Sequence, residues 1–245
     1  MLGKFSTIWY VDVPDPAQVL RDYPDSDADA AAALAARMFP DHDAAHRPPV
    51  PLRQAAAARP GLVSIGCFGP VTVVCTPELS LARPGTLSPN WIRPLAAEHS
   101  YLIAADPANR WGSFAQWERG ELRRAFSATR VHIIEDDGLP QPWELPFWSG
   151  EHPISHDPGV LPNPQSLPFD PQHFAVNASA EWLGIGYGAT DSGDDINADK
   201  LTVCCFELRN PAAQTRSPDL VGEAEPAATQ GNPVLRMLRR FVGGD

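Results

Sequence analysis

The sequence predicts a mixed α/β fold: one domain over residues 3–209, with a largely antiparallel sheet of six or seven strands and helices packed on it. Three observations carry this. Runs of β-branched and aromatic residues recur along the chain with turn signals between them. Two of these runs, Trp111–Glu118 and Glu121–Thr129, flank Arg119-Gly120 as a hairpin. Two further segments, 26–38 and 171–183, combine helical spacing of apolar residues with capping residues at their starts. A chain of 245 residues, 43% hydrophobic and 20% charged, can bury a sizeable core.

Residues 4–13 read as a buried strand rich in β-formers, ended by Pro14. A short helix is expected at 16–22. A longer one runs from Ser26 as N-cap through Met38, with Leu34, Met38 and Phe39 on its apolar side. Asp27 and Asp29 in its first turn suit the positive end of the helix dipole. Residues 40–60, rich in proline and alanine, read as a loose surface excursion. Leu62–Phe68 and residues 71–76 are strands joined at Gly69-Pro70, apolar on both faces and therefore central. A helical turn is expected at 88–97 and another strand at 100–105.

In the hairpin, pairing Trp117 with Leu122 puts Trp111, Ala115, Trp117, Leu122 and Phe126 on one face. Gln116, Glu118, Glu121 and Arg123 fall on the other, so one buried and one wet face are expected. Arg124 on the apolar face reads as a snorkelling stem or a buried ion pair, and Phe114 is the exception on the polar face. Pro171–Leu183 is a helix with Asp170 as N-cap and Phe174, Ala178, Trp182 and Leu183 inward. Residues 186–199 form an acidic loop, and 201–208 a last apolar strand. Residues 210–231 turn to Pro/Ala/Gln/Thr/Glu and are expected to be a disordered linker. Residues 232–243 then read as a short amphipathic helix, with Val234, Leu235, Met237, Leu238 and Phe241 on one face and Arg239 and Arg240 on the other. Nine or ten such residues need a surface to dock on, either the chain's own domain or a groove of a protein partner.

A net charge of −11 repels phosphate backbones, and residues 1–209 contain no basic patch, so no nucleic-acid partner is expected. No run approaches the roughly 20 apolar residues of a membrane span, and three arginines attract an anionic bilayer weakly, which disfavours a membrane partner. The first residues lack a secretory pattern. The four cysteines read as small buried hydrophobes, with Cys67 set opposite Thr72, not Cys75, and with Cys204 and Cys205 on opposite faces of one strand. A cytoplasmic location is expected. There is no Walker loop, and Gly184-Ile-Gly-Tyr-Gly follows a helix instead of a strand, so no cofactor is expected. Oligomeric state is left open.

The densest stretch is residues 143–157, Trp-Glu-Leu-Pro-Phe-Trp-Ser-Gly-Glu-His-Pro-Ile-Ser-His-Asp. Irregular loops of this kind are where binding and catalysis often sit. His152 and His156 stand four apart, but Pro153 and Pro158 oppose the helix that a two-histidine metal site requires, so no metal is expected. Cys67, inside an apolar strand, is an inert thiol and no partner for His152. The acidic loop at 191–199 lacks the spacing of a calcium loop. The expected role is a non-enzymatic binding or interaction protein. Trp143, Glu144, Phe147, Trp148, Glu151 and His152 then form either a ligand or partner surface or a clamp across the sheet. The alternative is a hydrolase with Glu151, His152 and Asp157 as its acid–base set.

Several pieces of the chain together resemble an uncharacterised, mainly actinobacterial family, a domain of unknown function. They are the strand at 4–12, Gly66-Cys-Phe-Gly-Pro-Val-Thr-Val-Val-Cys75, Phe114-Ala-Gln-Trp-Glu-Arg-Gly-Glu-Leu-Arg-Arg124, Leu145-Pro-Phe-Trp-Ser-Gly-Glu-His-Pro153 and Leu167-Pro-Phe-Asp170. The chain departs from the family at 125–129, where Ala-Phe-Ser-Ala-Thr replaces a Leu-Ser-Leu-Ser-like run. The resemblance implies a single cytoplasmic α/β domain and no particular activity.

Overall fold

Among the described residues nine strands join in one continuous antiparallel sheet, more than the six or seven expected. The computed structural model describes residues 3–57, 59–154, 159, 163–187 and 195–210. Its elements run β1 (Phe5–Val11), α1 (Pro16–Leu20), α2 (Ala28–Met38), β2 (Asp43–Pro51), α3 (Leu52–Ala56), β3 (Leu62–Phe68), β4 (Val71–Cys75), α4 (Pro89–Ile92) and β5 (His99–Asp106). Then come β6 (Trp111–Glu118), β7 (Glu121–Thr129), β8 (His132–Gly138), α5 (Leu145–Trp148), α6 (Pro171–Leu183), β9 (Ile185–Gly186), β10 (Ile196–Asn197) and β11 (Thr202–Arg209). The sheet order is β2-β11-β3-β4-β1-β5-β6-β7-β8, and β9 and β10 form a small parallel pair. Mixed α and β with a dominant antiparallel sheet is therefore the architecture.

Both faces of the sheet are covered. On one, Trp9, Ile103, Val73 and Val203 meet α1, α3 and α6, and Phe114 and Phe126 continue that layer. On the other, Ile8, Tyr10, Ile65, Leu102, Trp117 and Phe206 meet α2 and the segment from Leu79 to Ala97. This explains why β1, β3 and β4 are apolar at successive positions: strands buried on both sides have no wet face to alternate with.

Four expectations are corrected. Residues 43–51 are no loose excursion but the edge strand β2, paired with β11. Its prolines at 48, 49 and 51 misled the sequence reading; an edge strand leaves amides unpaired on its outer side, so it tolerates residues without an N–H. The N-cap of α2 is Asp27, whose carboxylate accepts from the amides of Asp29 and Ala30; Ser26 Oγ instead accepts from the Cys67 amide at 2.9 Å. Strand β8 adds a member beyond the hairpin.

The fourth correction concerns the hairpin itself. Trp117 pairs with Leu122, as expected, but the next pair is Gln116 with Arg124, leaving Arg123 as a bulge. One extra residue inverts every side chain beyond it. Phe126 therefore moves to the face of Phe114, its cross-strand partner, and Ala125 takes its place beside Ala115 and Trp117. The anticipated wet face is closed by α6 and residues 141–148, which makes Phe114 and Arg124 members of a second core and not exceptions. The predicted linker and C-terminal helix, including Val234, Leu235, Met237, Leu238, Arg239, Arg240 and Phe241, lie outside the described residues.

Candidate functional site

The aromatic segment closes onto the sheet through a buried polar core. Gln141 and Glu144 form a reciprocal cap: the Gln141 amide donates to Glu144 Oε1 at 3.0 Å. Gln141 Oε1 accepts from the indole N–H groups of Trp143 and Trp182, at 2.9 and 3.0 Å, and its amide nitrogen donates to Gln116 on β6. Glu144 meets Arg124, whose Nε donates to Oε1 at 3.0 Å and whose Nη2 donates to Oε2 at 2.8 Å. Both side chains are 0% exposed. Arg124 Nη1 donates to Asp136 Oδ1 on β8, and to the Asp137 carbonyl at 3.0 Å. The guanidinium lies 5.9 and 5.8 Å from the ring centroids of Phe114 and Phe126. Though burial alone would lower its pKa, hydrogen bonds and charge from Glu144 and Asp136 raise it, so Arg124 is a permanent cation.

Around this pair the segment supplies hydrophobic contacts. Phe147 is buried against Phe169 and Phe174, with centroids 5.7 and 4.8 Å away, and Trp148 stands edge-on to Phe126 and Phe169. Trp143 touches Phe114, Phe174 and Trp182. Glu144 and Phe147 are thus occupied by the protein itself, whereas Trp143 and Trp148 are half-buried. Glu151 and His152 are exposed: Glu151 accepts from Ser149 Oγ at 2.8 Å, and His152 stacks on Phe147 at 4.1 Å. Gly150 makes the turn between Ser149 and Glu151 at φ 83°, a conformation that favours glycine. Asp157, the third member of the acid–base alternative, and His156 lie outside the described residues.

A concave site lies elsewhere, on the opposite face of the sheet, and the sequence reading missed it. Tyr10, Thr72 and Cys67 stand side by side across β1, β4 and β3, because Tyr10 pairs with Thr72 and Thr72 with Cys67. They floor a groove of about 490 Å³. One wall is α2, through Ala30, Ala33 and Leu34; the other is Leu95, Ala96 and Ala97. Asp12 and Asp27 mark the end near the Gly69-Pro70 turn, and Arg37 lines the groove ten residues further along the same helix wall. At 1.5 Å per residue that separation is roughly 15 Å. The site joins residues spread between 10 and 97, and its one local trace in the sequence is the run of alanines on α2.

The groove's reactive groups are held in their protonated forms. Burial pushes the Cys67 thiol up to about 11, outweighing its contact with the Thr72 hydroxyl. The Tyr10 hydroxyl donates to the Trp91 carbonyl at 2.6 Å, and burial raises it well above its ordinary range despite the nearby Arg37 charge. At pH 8 the thiolate fraction of Cys67 is therefore ~0.1%, and alkylation is expected to run at least about a hundredfold slower than for glutathione. The rate should rise tenfold per pH unit until pH nears 11, as followed by iodoacetamide labelling and peptide mass spectrometry. A plateau below pH 9 would show that Cys67 is an activated thiol after all.

Among the described residues no three His, Cys, Asp or Glu side chains gather as a metal-binding group, and no helix is long and apolar enough to cross a membrane. No curated protein and no solved structure matches this chain. A family model described as a family of unknown function (DUF6928) matches residues 5–206, from the first residue of β1 to the middle of β11. That span takes in the aromatic clamp and the groove alike, and the chain belongs to this family of unknown function.

Proposed function

We propose that the protein is a non-enzymatic binding protein whose ligand seats in the groove between α2 and residues 95–97. The observation that carries this reading is a ligand-sized groove with opposite charges at its two ends and protonated, hydrogen-bonded groups on its floor. A thiol and a phenol held neutral are poor nucleophiles and poor bases, but they are good hydrogen-bonding and packing partners. The occupant that fits is a short linear molecule, cationic at one end for Asp12 and Asp27 and anionic at the other for Arg37. An extended peptide of about four residues with free termini spans ~13 Å, which matches the spacing of those charges.

The aromatic segment supports this role indirectly, by anchoring the far half of the sheet. The predicted C-terminal helix remains a proposed docking element for a protein partner, resting on its amphipathic pattern alone.

Titration calorimetry with tetra-alanine carrying free ends tests the proposal. Binding is expected with the wild type, at least about tenfold weaker binding with Arg37→Met, and none with Ala33→Trp, which fills the groove. The N-acetylated, C-amidated peptide should bind weakly in every case. Equal binding of the blocked and free peptides would overturn the assignment of charge at the two ends. Undiminished binding to the Ala33→Trp variant would overturn the groove as the site.

A further inference from the structure

The two walls of the groove differ in what their main chains can do. Helix α2 spends its main-chain groups on itself and presents the side chains of Ala30, Ala33 and Leu34. The facing wall has no regular structure. Pro94 lacks an N–H and disfavours helix at Arg93, so α4 ends at Ile92 and the chain runs irregularly on to β5. Both ends of that run are fixed. The Trp91 and Ile92 carbonyls accept from the Tyr10 and Ser100 hydroxyls at 2.6 and 2.9 Å, and the Glu98 carbonyl accepts from the Arg119 amide at 2.7 Å. Between these ties, the amides and carbonyls of Leu95, Ala96 and Ala97 have no hydrogen-bond partner among the described residues. All three residues line the groove, so the main chain that joins them does too.

We infer that the occupant of the groove is a peptide recognised through its own main chain, which pairs with residues 95–97 as an added strand while α2 closes the other side without hydrogen bonds. This rests on the groove being the ligand site. Main-chain groups open to water exchange those hydrogen bonds for ligand ones, and a wall tied at both ends has little order left to gain on binding. Strand addition draws its affinity from main-chain bonds and leaves most side chains unread. Side chains of a strand stand across the direction of its hydrogen bonds, so alternate ones point to the floor at Thr72 and Cys67 and the rest to the open mouth. Asp12 and Asp27 at one end and Arg37 at the other then select length and free termini, not sequence. A peptide with both termini free is a product of peptide-bond hydrolysis, so the class of reaction that supplies this ligand is proteolysis.

Calorimetry of the full chain with matched ligands tests this. Tetra-alanine with free ends should bind. An ω-amino fatty acid of equal length carries the same end charges without amides, and should bind at least about tenfold more weakly. The N–H groups of a strand point alternately to its two sides, so an ester in place of the amide at residue 3 and esters at residues 2 and 4 should act unequally. One pattern should weaken binding about tenfold and the other little. Hydrogen exchange of at least one amide among Leu95, Ala96 and Ala97 should slow when tetra-alanine is bound. Equal affinity for tetra-alanine and the ω-amino acid, equal effects of the two ester patterns, or unchanged exchange at 95–97 in the complex would each overturn main-chain recognition and leave the groove and its charged ends standing. Absence of binding by every ligand would overturn both.

Discussion

Glu144→Ala is expected to destabilise the fold by about 3–5 kcal/mol, because it leaves the Arg124 guanidinium charged and without its main counter-ion in a closed interior. For a domain whose total stability is on the order of 5–15 kcal/mol, that is about a fifth of it or more. The asymmetry of buried ion pairs makes the result informative. Removing both charges together, as Arg124→Met/Glu144→Leu, should recover most of the loss, since two desolvation penalties vanish with the attraction. Asp136→Asn should cost about 1 kcal/mol or less, because Asp136 is 42% exposed and solvent screens its share. Urea denaturation of the three variants separates these cases. A loss below 1 kcal/mol for Glu144→Ala would mean that water reaches Arg124 in the folded protein.

Phe174→Ala should cost about 3–5 kcal/mol as well, by a different route. Its ring lies 4.5 Å from Phe169, 4.8 Å from Phe147, 5.0 Å from Phe126, 5.1 Å from Phe114 and 5.4 Å from Trp143. One truncation therefore opens a cavity shared by α6, the 142–148 segment and the sheet, with no flexible neighbour to fill it. Near-UV circular dichroism should lose intensity along with stability, since Trp143 and Trp148 both pack against the ring that is removed. Phe174→Leu, which keeps most of the volume, should lose much less. An unchanged near-UV spectrum in the alanine variant would show that Trp143 is held by its hydrogen bond to Gln141, and Trp148 by Phe126 and Phe169, without the Phe174 ring.

The elements legible in the sequence were those whose causes are local. Pro171 after Asp170 marks the start of α6, Gly69-Pro70 marks a turn, and the pairing of Trp117 with Leu122 follows from a two-residue hairpin loop. What stayed hidden depends on partners distant in the chain. The bulge at Arg123 shows itself through Phe126 packing on Phe174, 48 positions away, while period-two alternation over a few residues reads equally well without it. The burial of Arg124 was readable as a possibility, but not its partner Glu144, which arrives from an irregular segment. Strand β2 was hidden by its prolines, whose tolerance depends on its lying at an edge. The aromatic segment was conspicuous because it is rich in side chains with much to bury, and most of that richness is spent inside the protein. The groove needed the sheet order itself, since Tyr10, Thr72 and Cys67 become neighbours through pairing of β1, β4 and β3.

Strand β11 occupies the place between β2 and β3, with Phe206 set against His46 on one side and Val63 on the other. Synthesis on the ribosome delivers this strand last among the nine. After β3 is made, the 141 residues from 69 to 209 must still be added, which takes roughly 10–30 s at ordinary elongation rates. Throughout that interval β3 has a bare edge with Val63 and Ile65 open, and β2 has no sheet to join. This end of the sheet therefore closes only when β11 is threaded into the gap. The sheet is completed one strand in from its edge, although the chain is made from one end.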